Sequence, residues 1–497
     1  MENIQETTQK LLNNEENHHE HKNIIINESV LTSHSHSNSS KNIDFNDLFL
    51  YKKNHKKQKI YGISSLIGCF LCGIIKGIGW IMIFLIIYLM SYLKLYQKDL
   101  TMKSYYPFYC IFNIALGIFS PVGGFLVYYF GPNRTILISS FIVILGNYIM
   151  YISKNLIIDY FALFIFATGM GISGNVSLKN AVEFFPGKYG LINGLDSTVI
   201  AIGELVFNYL AEYVYINPNH DEPIDDFYTG DVPLNFKYYL LIQMLIIGII
   251  TFLAVFFIFP FNQIIQKDIL NTIEEEEENK NDSLISSIEE IKSEKHYDFK
   301  NLKKAIKSKK FFIIFYIFFS SNLYVSILEN SLRPIAIKVK IKTSNQQITT
   351  NVIVALNLIL TPIFGVISDC VRFKITMTFI NVIIIACSFI FFLVIYNDYI
   401  FILWTTSNAF VNSAIYTFIY EYILKIFGIK YFVEISGVIG FGYCLASILS
   451  SLLLYLNEII FKNHLIFGYI IIYGLNGIIN IVSFILTLID NEKPFIY

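Results

Sequence analysis

The chain has 497 residues, of which 54% are hydrophobic and 15% charged, and 37 basic against 38 acidic side chains leave a net charge of -1. An average soluble domain is about 45–50% apolar and about 25% charged, so this composition excludes a soluble multidomain enzyme and points to lipid as the main solvent. The balanced charge also excludes a global basic field of the kind that holds nucleic acid.

Residues 1–58 are rich in Asn, His, Ser, Glu and Lys. Such a composition buries too little surface to offset chain entropy, so a disordered tail is expected. It lacks the early apolar stretch of a cleavable signal peptide, and the first membrane helix is expected to serve as a retained targeting signal. His18, His19, His21, His34 and His36 have no fixed geometry or acidic cage around them, so they read as solvated low complexity rather than a metal site. No cofactor is expected.

A spanning helix needs about 20 mostly apolar residues. Twelve such segments follow, near 60–92, 105–129, 134–153, 158–182, 190–215 and 237–261, then 311–333, 347–367, 374–396, 399–420, 433–456 and 465–489. The long polar stretch 263–309 between the sixth and seventh carries Glu274 to Glu278 and then Lys303, Lys304, Lys307 and Lys309, with Lys310 just beyond. It reads as a solvated linker. The frame is therefore an all-α membrane protein: a six-helix half over 59–262, the linker 263–309, a second half over 310–490 and a short tail, 491–497. Cys69, Cys72, Cys387 and Cys444 lie inside apolar runs, with Cys110 and Cys370 near the ends of others, so no disulfide framework is indicated.

Lys and Arg accumulate in short cytoplasmic flanks. The run KKNHKKQK at 52–59 places the N-terminus in the cytoplasm, and an even helix count places the C-terminus there too. The loop near 216–236, with Asp221, Glu222, Asp225, Asp226 and Asp231 but no Lys or Arg, then falls outside as the rule prefers. Arg333, Lys338, Lys340 and Lys342 would also fall outside, against it. No retention tag ends the chain, which leaves the plasma membrane and an internal organelle membrane open.

The stretch GMGISGNVSLKNAVEFFPGKYGLINGL occupies residues 169–195. Gly169-x-Gly171-x-x-Gly174 matches the dinucleotide fingerprint by spelling, yet that fingerprint needs a preceding strand. In an apolar helix, glycines at this spacing read as close helix packing. Phe185-Pro186-Gly187-Lys188-Tyr189-Gly190 then forms a turn, since proline cannot continue the helix before it.

The run from Asn180 to Gly194, N-x-x-x-F-F-P-G-K-Y-G-L-x-x-G, resembles the junction of the fourth and fifth helices in the monocarboxylate transporter and oxalate:formate antiporter-like group of the major facilitator superfamily. Phe184, Gly187 and Tyr189 stand where that group usually has Trp, Asp and Arg. Gly365-x-x-x-Asp369-x-x-Arg372, followed by Lys374, resembles the superfamily's G-x-x-x-D-R-x-x-R/K loop. An Asp facing Arg or Lys across a short turn would act as a conformational latch made of Gly365, Asp369 and Arg372, against the alternative of two charges solvated at the surface. The matching loop of the first half, Gly124 to Arg134, has Tyr128 where the Asp belongs. Ile426 to Gly440 faintly repeats the 180–194 turn, in keeping with two parallel six-helix halves. The resemblance implies a major facilitator fold.

Charges within the membrane are costly and usually face a cavity or a partner. Lys76 lies deep in the first helix, where its ammonium could attract an organic anion or pair with Asp196 or Glu204 of the fifth. Asp196 and Glu204 are two turns apart and share a face. With Glu329 of the seventh helix they are candidates for carrying a coupling proton, since burial disfavours a charged carboxylate; Glu329 could instead pair with Arg333. The resemblance implies that helices one, four, seven and ten line the cavity. Lys76, Asn175, Lys179, Asn408 and Asn412 are then candidate substrate contacts, with interhelical hydrogen bonding as their bland alternative. The eighth and eleventh helices lack the basic residues of oxalate-type members, which argues against a dianionic cargo.

The expected activity is secondary active transport of a small organic anion, best a monocarboxylate, by alternating access, with protons as a possible co-substrate. The alternatives are a carrier of amino acids or another small solute, and a non-transporting membrane sensor or scaffold. An ATP-driven pump is disfavoured by the lack of a G-x-x-x-x-G-K-[ST] loop, and intramembrane hydrolysis by the lack of HExxH or G-x-S-x-G.

Overall fold

The computed structural model describes residues 45–100, 104, 106–185, 187–219, 227–261, 299–339, 343–396, 398–461 and 464–494. The histidine tract, Glu274 to Glu278, the acids Asp221, Glu222, Asp225 and Asp226, and Pro186 lie outside them, as do the side chains of Arg333 and Lys338 and all of Lys340 and Lys342.

Twelve membrane-crossing helices order the described chain. The first half holds α1 (Phe45–Lys94), α2 and α3, α4 (Leu156–Glu183), α5 (Tyr189–Ile216) and α6 (Val232–Phe257). α2 (106–130) and α3 (132–152) are two limbs of one helical stretch, Tyr106–Ile152, bent at Gly131 where φ is 79°. The second half holds α7 (Lys309–Val339), α8 (Thr343–Cys370), α9 (Phe373–Ile390), α10 (Asp398–Phe427), α11 (Phe432–Ile460) and α12 (Leu465–Ile489).

Several local rules set these ends. Asn155 caps α4 by accepting the Ile157 N–H at 2.8 Å, satisfying one of the orphan donors of a helix start. Pro233 opens α6, where its missing N–H is harmless. Gly428, at φ 73°, ends α10 in the left-handed conformation that glycine tolerates best.

The differences from the sequence expectations have physical causes. α1 is helical from Phe45, ahead of the apolar run, because hydropathy marks lipid contact rather than helix. A short amphipathic helix, Phe299–Ile306, stands inside the stretch read as linker and buries Leu302 and Ala305. α5 ends in a π-helical turn, Leu210–Ile216, and α9 runs on as a 3-10 turn, Phe391–Tyr396.

Among the described residues, nine helical stretches are long and apolar enough to cross a membrane, one of them covering both α2 and α3. α10 is less apolar because it carries Thr405, Asn408, Ser413 and Thr417 inward, and Ala355–Cys370 of α8 is a shorter apolar stretch. The first half packs around Ile78, Met82, Phe108, Phe112, Phe166 and Phe236. A second core gathers Phe318, Tyr324, Phe391, Trp404 and Tyr473 and continues into Leu178 and Ile192 of the first half.

Lys237 of α6 is buried and donates to the carbonyls of Met150 and, at 2.9 Å, Ser153, closing the C-terminus of α3. Its ammonium also sits 4.0 Å from the Tyr92 ring centre and feels the buried Asp159 carboxylate. Lys237→Met removes this cap and leaves Asp159 without its neighbouring cation. A loss of about 3 kcal/mol is expected, read as a lowered Tm of the detergent-solubilised protein.

Candidate functional site

The halves meet most closely on the side where α5, α7 and α11 begin and α4, α8 and α10 end, called the linker side below. A Cβ on Gly190 would lie 2.5 Å from the Gly365 carbonyl oxygen, and one on Gly194 would lie 2.8 Å from that of Thr361. The absence of side chains at these positions lets α5 and α8 touch through their backbones. On the opposite edge, Gly437 of α11 packs on Pro121 of α2, and Gly124 of α2 receives the buried carboxyl of Glu434.

Asp369 works across this contact. Its carboxylate accepts the N–H groups of Gly190 at 2.7 Å and Leu191 at 2.9 Å, at the N-terminus of α5 where the helix dipole favours negative charge. Arg372 stands exposed at the start of α9, and no ion pair joins it to Asp369 among the described residues. The Asp369 carboxylate therefore bonds between the halves rather than across its own turn. In the first half, where Tyr128 stands in place of the Asp, the buried acid nearby is Glu434, in the first turn of α11 and packed on Gly124.

Deeper in the membrane, Lys76 of α1 and Asp196 of α5 form an ion pair at 2.8 Å, with 6% and 3% of each residue exposed. The Cys69 thiol donates to the other Asp196 oxygen at 3.4 Å. The glycines of α1 bring α5 close: a Cβ on Gly73 would lie 3.2 Å from Asp196 Oδ1, and one on Gly77 would lie 2.4 Å from the Ile200 carbonyl oxygen. Of the two acids that could pair with Lys76, the nearer to the linker side does so.

A second polar group bridges the halves. Glu329 of α7 is exposed although it lies within the helix bundle. Its carboxylate accepts from Tyr109 of α2 at 3.3 Å and Asn408 of α10 at 3.5 Å. Tyr109 also shares a 3.1 Å hydrogen bond with Tyr443 of α11. Tyr443 packs edge-on against Trp80, one helical turn from Lys76. Glu204 is half-buried and close enough to Glu329 for the two carboxylates to repel.

The other expected contacts separate. Asn175 donates to Ser436 of α11 at 2.9 Å, tying the halves together near Lys76. Lys179 is one turn nearer the linker side and donates to the Lys430 carbonyl at 3.4 Å. It belongs to the closed side rather than to the pair. Asn412 is half-buried one turn from Asn408. Trp80, Tyr109 and Tyr443 were not legible as site residues, because aromatic residues are common on every helix here. Asn193 was missed as well; it donates to the Tyr416 carbonyl at 3.0 Å, from α5 to α10.

The family model described as the Major Facilitator Superfamily matches residues 69–451. The chain is similar in structure to the proton:xylose symporter XylE bound to 6-bromo-6-deoxy-D-glucose, with a TM-score of 0.57 at 12% identity, covering 86% of this chain and 95% of that one. It is likewise similar to the human organic anion transporter MFSD10 (TETRAN), with a TM-score of 0.55 at 10% identity, covering 86% of this chain and 99% of that one. At such identities the likeness is one of fold. No curated protein sequence matches the chain.

Proposed function

The chain belongs to the major facilitator superfamily, and we propose that within this family of membrane transporters it is a proton-coupled carrier of a small organic anion, best a monocarboxylate. The observation that carries the reading is the buried Lys76–Asp196 pair. A lone charge at this depth is strongly disfavoured, whereas a compensated one is tolerated. Protonating Asp196 frees the ammonium, and a cargo carboxylate restores neutrality by taking the place of the aspartate. Proton and anion then enter together, because either alone leaves an unpaired charge.

The pair lies between halves held together on the linker side by Asp369, as a carrier that alternates between closed sides requires. The basic flank at 52–59 supports assigning that side to the cytoplasm. The missing basic residues on α8 and α11 favour one carboxylate over two.

Labelled lactate, pyruvate and formate offered to proteoliposomes of the full chain should accumulate faster under an inward proton gradient. An equal rate without the gradient would refute coupling, and no uptake of any acid would refute the anion reading. A second reading, an amino acid carrier, is favoured by the exposed Glu329, whose carboxylate would receive an ammonium. Labelled alanine in the same assay separates the two.

A further inference from the structure

α4 does not cross the membrane as one helix. It stops at Ser173 and resumes at Val176, with Asn175 at φ -111° and ψ 5° between. The first two glycines of its G-x-G-x-x-G run serve packing: a Cβ on Gly169 would lie 2.5 Å from the Ser139 carbonyl oxygen, and one on Gly171 would lie 2.7 Å from that of Leu116. The third does not. A Cβ on Gly174 would come no closer than 4.0 Å to the nearest atom of another helix, Ser120 Oγ.

The break leaves a helix start inside the membrane. The Lys179 N–H donates to the Asn175 carbonyl at 3.0 Å, and the N–H groups of Val176, Ser177 and Leu178 lie in the first turn of the resumed segment, the donors that a helix start leaves without an acceptor of its own. The segment continues to Glu183 at the linker side, and its positive end therefore faces the bilayer interior.

An independent observation marks the same place. Ser177 is 1% exposed, and its hydroxyl makes no hydrogen bond among the described residues. It lies beside the Cys69 and Cys72 thiols, and Cys69 bonds to Asp196, the partner of Lys76. From the other half, Tyr420 of α10 reaches Asn175 and feels the charges of Lys76 and Asp196. A buried hydroxyl with only thiols beside it, the amides of a helix start and an ammonium are thus gathered from α1 and α4. Interrupted helices whose N-termini meet an anionic cargo group are a general solution to binding in the middle of a membrane.

We propose that the break in α4 is the seat of the cargo's carboxylate, held between the Lys76 ammonium and the Ser177 hydroxyl with the N–H groups of Val176 to Leu178. This rests on the anion-carrier reading above and adds its subsite. The seat takes one carboxylate: Lys76 supplies the charge, and the helix start supplies directional donors that a neutral amide or alcohol would fill poorly.

The test is lactate uptake by proteoliposomes of the full chain carrying Ser177→Ala, Ser177→Thr or Ser177→Asp. Ser177→Ala is expected to raise KM about tenfold, the loss of one hydrogen bond to a charged group, while Vmax is retained. Ser177→Thr restores the native KM. Ser177→Asp places its own carboxylate in the seat and abolishes uptake. If Ser177→Ala does not fold, Ser177→Cys, which keeps the size and weakens the donor, is expected to shift KM in the same direction. A native KM in Ser177→Ala or Ser177→Cys, with the unmodified chain transporting lactate, overturns the seat and leaves the anion carrier standing. Failure of the unmodified chain to move any carboxylic acid overturns both.

Discussion

Lys76→Ala abolishes carboxylate uptake and destabilises the protein. The alanine leaves Asp196, 3% exposed, as an uncompensated carboxylate in the membrane core, and breaking a buried pair from one side costs about 3–5 kcal/mol. The double variant Lys76→Ala/Asp196→Ala distinguishes a structural pair from a working one. With both charges removed no unpaired ion remains, so the Tm is expected to recover most of the loss, whereas uptake stays absent because nothing receives the cargo. Recovery of uptake together with stability would reduce Lys76 to a structural partner. The comparison is made by thermal unfolding in detergent beside radiolabel flux in liposomes.

Gly190→Ala is expected to pry the linker side open. Its Cβ would lie 1.8 Å from Ser368 Oγ and 2.5 Å from the Gly365 carbonyl oxygen. The serine can turn away but the backbone cannot. Overpacking of this kind costs about 1–3 kcal/mol, and separating α5 from α8 also weakens the two bonds from Gly190 and Leu191 to Asp369. A total near 3 kcal/mol changes the ratio of closed to open states by about a hundredfold. Cysteines introduced at the linker side should then react faster with a membrane-impermeant maleimide, and uptake should fall at least tenfold. Asp369→Asn, which keeps the size but removes the charge, should move both readouts less in the same direction. Unchanged labelling in Gly190→Ala would mean that this contact does not set the conformational balance.

What could be read before folding followed from the solvent. Lipid demands long apolar helices, so the twelve segments showed in hydropathy alone, and α12 spans Leu465–Ile489, the bounds its apolar run marks. Lys76 stood out because charge at such depth is rare. Its choice of Asp196 over Glu204 depended on the glycines of α1, whose effect appears only when α5 lies against them. Asp369 stood out as a candidate by its motif, but its acceptor role toward α5 was not legible, since the partners are backbone amides that any sequence possesses. The break in α4 was hidden for a related reason. Gly174 and Asn175 sit in a run whose hydropathy and glycine spacing both suit an unbroken helix; only the Asn175 backbone angles and the open space beside Gly174 show the break. Glu434 was likewise missed, because it reaches Gly124 from α11, far along the chain from the Tyr128 loop.

The exchange of one carboxylate for another at Lys76 is tested most directly by following protons. Lactate added outside proteoliposomes that contain a trapped pH dye should acidify the lumen, with one proton entering per lactate. In Asp196→Asn lactate should still enter down its gradient while the acidification disappears. Lactate uptake by the native chain with no proton movement, or unchanged acidification in Asp196→Asn, would contradict the account.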